Sequence, residues 1–198
     1  VQGLLPGEPT VARRKVADSF PEFAVAEVFL GDAPSSQNGT PQEGDDASLD
    51  GEGAPQEGDD EPVLAETVAM TIDAGRMESG LETEDGSDLR VELLTVVSGH
   101  DDTAADLLTH AATMISQDPG HWPPQPGTML PNVVQQMDAD SERKITARNG
   151  LLVVPYVWDE GVPHVHEVTS GGAGRHSKEG ETEVEFTHPG RLTIVAQL

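Results

Sequence analysis

The sequence predicts an α+β fold: a mixed or antiparallel sheet packed with helices, in a single domain that reads as truncated at its C-terminus. Three observations predict it. Short apolar runs rich in β-branched residues read as strands: FAVAEVFL (23–30), VLAETVAMTID (63–73), RVELLTVVSG (90–99), LLVVPYVW (151–158) and RLTIVAQL (191–198). One longer segment, DDTAADLLTHAATMISQ (101–117), has helical periodicity instead. Finally, strands and helices do not alternate regularly, which argues against a βαβ architecture.

Along the chain, EPTVARRKVADSF (8–20) reads as a short helix, with Pro9 suited to a first turn and Val11, Lys15 and Asp18 at helical spacing. The strand at 23–30 follows. Between Gly31 and Pro62 the composition changes: ten acidic residues, no basic one, no aromatic, and the unit PQEGDD twice, at 41–46 and 55–60. Such a segment cannot bury enough apolar surface to offset the entropy of ordering, so it reads as a disordered insertion carrying a slipped repeat. The organisation expected is therefore 1–30 as the domain's N-terminal helix and strand, 31–62 as the acidic insertion, and 63–198 as the core.

Within that core, the strand at 63–73 pairs with 90–99 around a polar turn in which Asp85-Gly86 is the hairpin signal. In the helix at 101–117, Ala104, Leu107, Leu108, Ala111, Met114 and Ile115 form one apolar stripe, Asp101 and Asp102 favour the N-terminus, and Pro119-Gly120 ends it. The stretch PGHWPPQPGTMLP (119–131) is an ordered loop whose Trp122 is expected to plug the edge of the core. The run at 151–158 is expected as a buried strand with Pro155 at a bulge or edge, and the chain closes on the strand at 191–198.

Composition bounds the function. The chain has 198 residues, 36 acidic against 11 basic, a formal net charge of −25 and no cysteine. Disulfides, thiolate metal sites and a cysteine nucleophile are thereby excluded. An acidic surface repels nucleic acid and anionic membrane and suits a basic partner, or serves solubility. No apolar run is long enough to span a bilayer, and no signal-peptide pattern opens the sequence, so a cytoplasmic location is expected.

The candidate metal ligands are His164 and His166 in GVPHVHE (161–167), one residue apart and so on one face of a strand. Glu167 falls on the opposite face of a regular strand, and neither a cupin nor a JAMM-type pattern is completed. His176 and His188 are further imidazoles that a hairpin could recruit. A solvent-facing strand side is the favoured reading, and a small metal-binding protein or metalloenzyme is the alternative. Asp46, Ser48, Asp50, Gly51 and Glu57 match the spacing of an EF-hand calcium loop, but Gly53, Pro55 and the lack of flanking helices argue for chance in an acidic repeat. The glycines of SGGAGRHSKEG (170–180) match no phosphate-binding loop, and no nucleophile elbow occurs. No catalytic residue and no cofactor are expected.

RVELLTVV (90–97), DLLTHAATMI (106–115), PQPGTMLPN (124–132), LLVVPYVW (151–158) and RLTIVAQL (191–198), in that order, resemble the suppressor-of-fused domain, in particular its bacterial, actinobacterial-type members. The resemblance covers roughly residues 64–198. The family's late strand leads into a proline-threonine turn and a C-terminal helix that have no counterpart here, which is why the domain reads as truncated; the acidic insertion also departs from the family pattern. The resemblance implies a non-enzymatic α+β domain that binds other proteins. Animal relatives sequester a transcription factor, and bacterial relatives look like immunity proteins that neutralise toxins of polymorphic or contact-dependent systems. The expected partner is thus a protein, such as a basic toxin domain, with complementary charge speeding its capture.

Overall fold

Apolar residues fall on both parities of FAVAEVFL and VELLTVV, so strands made from them need cover on both faces of a sheet. The computed structural model, which describes residues 3–31, 65–134, 147–167 and 190–198, has that double cover. In chain order the elements are β1 (Thr10–Arg14), β2 (Phe23–Leu30), β3 (Glu66–Thr71), a 3-10 turn (Ala74–Arg76), β4 (Leu81–Glu82), β5 (Asp88–Ser98), α1 (Thr103–Gln117), β6 (Met129–Leu130), β7 (Gly150–Leu151), β8 (Val165–Glu167) and β9 (Arg191–Gln197). Among the described residues, seven strands make one sheet, ordered β1-β2-β3-β5-β9-β8 with β4 paired to β5, while β6 and β7 form a separate pair. Pairing in the large sheet is antiparallel except between β5 and β9, which run parallel from Asp88↔Arg191 to Leu94↔Gln197. This is a mixed sheet packed with helical elements in a single domain, the α+β class expected.

The helix covers one face. Phe23 and Val25 of β2, Ala69 of β3, Val91 and Leu93 of β5 and Ala196 of β9 meet Ala104, Leu108, Ala111, Met114 and Ile115 of α1. Burying a leucine such as Leu108 or Leu93 contributes roughly 1.5–3 kcal/mol. Trp122 packs against the edge of this cluster, as its loop position predicts. The opposite parity faces the other way: Ala26, Val28, Val68, Met70, Leu94 and Val195 form a second cluster, covered by Leu4 and Leu5 near the N-terminus and by Trp158 and Val162.

Two expected elements differ. Residues 10–14 lie in an edge strand paired with β2, from Thr10↔Glu27 to Arg14↔Phe23, and not in a helix. Ion pairs made by Arg14 across the sheet's helix side hold that strand, so non-local partners override the local helical spacing. The run 151–158 is not a buried strand. Only Leu151 belongs to β7, Val153 makes an isolated bridge to Gln197, and Val154 and Tyr156 are exposed. Pro155 offers no N–H to continue a ladder there.

The remaining expected strands and the helix are present with shifted ends, β5 starting two residues earlier than expected, while the short strands β4 and β6 were not expected. The hairpin between β4 and β5 turns through Asp85-Gly86, closed by Thr83 N–H on the Ser87 carbonyl at 2.9 Å. At the start of α1, Asp101 Oδ1 accepts from Thr103 N–H at 2.8 Å, whereas the Asp102 carboxylate makes no capping bond and reaches Arg14 instead. The acidic segment expected to be disordered, including both PQEGDD copies and the calcium-loop match, lies outside the described residues apart from Gly31.

Candidate functional site

The second face of the sheet is only partly covered, and what remains is a groove of roughly 550 Å³, open to solvent on one side. Its floor is built by strand alternation: Val68 on β3 and Leu94 and Val96 on β5 project to this face, with Leu30 at the end of β2. Its walls are two irregular segments, Gly3–Pro6 and Tyr156–Trp158. They meet through the indole of Trp158, whose Nε1–H donates to the Leu4 carbonyl at 3.0 Å.

Local sequence explains why the second wall is irregular. Pro155 stops strand pairing, and the chain then turns at Gly161, whose φ of 100° belongs to the region that favours glycine. Gly161 N–H closes that turn on the Trp158 carbonyl at 3.3 Å. The turn leaves Tyr156 75% exposed at the rim, an aromatic side chain held out to solvent beside an apolar trough. Among the described residues lining the groove, Glu66 is the only charged one.

Two carboxylates, Glu27 buried and Glu92 partly buried, anchor the frame around this site. Glu27, 6% exposed on the helix face of β2, meets Arg14 at 3.1 Å, and the same guanidinium reaches Asp102 and Asp106 at 3.1 Å each. Burial raises the Glu27 carboxyl above its ordinary value, with Arg14 opposing; the Arg14 pKa rises because the carboxylates outweigh the burial that would lower it. Glu92, on β5, accepts from Thr71 Oγ1 at 2.5 Å, Ala74 N–H at 3.1 Å and Gly75 N–H at 2.9 Å, tying the 3-10 turn to the sheet. Its pKa is also raised by burial, against those donors. Both groups serve packing; neither lines the groove.

His164 and His166 are both exposed at the β8 edge of the sheet. His166 pairs with Leu192 in register, while His164 precedes the strand. Glu167 is drawn to Arg191, its register partner, at 3.6 Å. Continuing the register would set Pro163 against Val195, where proline has no N–H to give, and this accounts for the start of β8 at Val165. His176 and His188 lie outside the described residues. Among those described, no group of three His, Asp or Glu side chains is placed to hold a metal ion.

The groove was not singled out from the sequence. The signal was there in the two-sided apolar character of 23–30 and 90–97, which one helix cannot cover alone. Comparison with known proteins adds no constraint: no family model matches the chain, and no curated protein or solved structure matches it.

Proposed function

We propose that this chain is a non-enzymatic protein-binding domain of the suppressor-of-fused kind, an immunity-like protein that captures a basic toxin domain in the cytoplasm. The observation that carries the reading is the open apolar groove on the sheet face away from α1. Exposed aromatic and aliphatic side chains beside a trough are what partner proteins use as anchoring sites, and Tyr156 and Val157 stand at this one. Charge supports a basic partner. Among the described residues every lysine and arginine except Arg148 lies within 4.0 Å of a carboxylate, so the surplus of a chain carrying −25 is acidic. A field of that sign speeds encounter with a cationic partner. Among the described residues no helix is long and apolar enough to cross a membrane, which is compatible with the location proposed.

The experiment is co-expression with the toxin-like product of a neighbouring gene. Protection of growth and a complex that copurifies are expected, both weakened by Tyr156→Ala or Val96→Asp. The absence of both protection and a complex would sink the reading.

A further inference from the structure

From the placement of one carboxylate we infer a recognition rule for the groove, resting on the reading above: its occupant is a segment pairing an apolar side chain with a neighbouring lysine or arginine that meets Glu66. Glu66 starts β3 and is set in register between Leu30 of β2 and Ser98 of β5. By strand alternation it shares its face with Val68, so its carboxylate stands at the end of an apolar floor made by Val68, Leu94 and Val96. Glu66 is half-buried, and among the described residues no cation lies within ion-pairing distance of it. The contrast with Glu27, Asp73, Asp88 and Glu167 is direct, since each of those has an arginine.

A carboxylate that no cation among the described residues pairs, set beside an apolar trough, discriminates in two ways. It favours a cation held next to the apolar anchor, and it repels acidic segments. A trough without the charge would select on hydrophobicity alone. The charge at its end makes order and spacing matter.

Random octapeptides displayed on phage and panned against the full chain provide the test. Binders that are lost on both Tyr156→Ala and Val96→Asp are the groove-dependent set, and those are expected to carry Lys or Arg at a fixed spacing from Leu, Ile, Val or Phe. Synthetic copies should bind roughly threefold more weakly to Glu66→Gln and roughly tenfold more weakly to Glu66→Lys, as a rim ion pair is removed and then reversed. Groove-dependent binders with no basic preference, or equal affinity for Glu66→Lys, would overturn the rule and leave the groove as a binding site. A selection yielding no groove-dependent binder would overturn the groove reading and the rule together.

Discussion

Trp158 and Leu4 are 154 positions apart, yet the Trp158 indole N–H donates to the Leu4 carbonyl at 3.0 Å. This bond joins the two walls of the groove. Its removal should loosen both. Trp158→Phe keeps most of the apolar contact but leaves the carbonyl without its donor, at a cost of about 1 kcal/mol. A fall in melting temperature of about 2–4 °C, followed by circular dichroism, is the expected outcome.

Arg14 is the hub for Glu27, Asp102 and Asp106 and so links β1 and β2 to the start of α1. Arg14→Met strands the Glu27 carboxylate in the interior. Since Arg14 is itself one-fifth exposed, the loss should be about 2 kcal/mol, below the range for a fully buried pair. Urea unfolding should show it, and adding Glu27→Leu to Arg14→Met should recover most of it.

The Glu27 carboxyl has a folded-state pKa raised above its ordinary 4.5, so the native state binds the proton more tightly than the unfolded chain does. Between those two values the folded form holds more protons, and this group's contribution falls as pH rises through the window. Acidification from neutral pH towards 4.5 should therefore raise stability. Glu27→Gln should flatten that dependence relative to the parent when urea midpoints are compared across the window.

Gly190 permits the close approach of β8 to the start of β9. A Cβ there would come 2.1 Å from the Glu167 carbonyl oxygen, a distance the backbone can relieve only by moving. Gly190→Ala should detach β8, seen as faster amide exchange at Val165–Glu167 with β2 and β3 unaffected.

His164 and His166 are exposed, and changing both to alanine should alter unfolding free energy by less than about 0.5 kcal/mol. Addition of zinc should leave the melting temperature of the parent unchanged. A zinc-dependent rise that the double variant lacks would support the metal reading.

Strand and helix identity was legible wherever a segment's own pattern agreed with its final environment. The helix stripe from Ala104 to Ile115 is buried as its spacing predicts, apart from a partly exposed Leu107, and the runs at 23–30, 63–73, 90–99 and 191–198 contain β2, β3, β5 and β9. Glu27 was hidden because an acid in a strand reads as solvent-facing. Only the apolar residues on either side of it in FAVAEVFL hinted that it would be buried and need a partner.

The sequence by itself determined the class of fold, because periodicities of 2 and 3.6 residues are local properties of the chain. Tertiary structure alone decided that 10–14 would be a strand, that β9 would lie between β5 and β8 and run parallel to β5, and that 156–158 would become a wall of a groove. Each of these depends on partners far away in sequence: Asp102 and Asp106 for Arg14, β5 for β9, Leu4 for Trp158. Local propensities differ by only about 1 kcal/mol per residue, and pairing and burial with distant partners outweigh them.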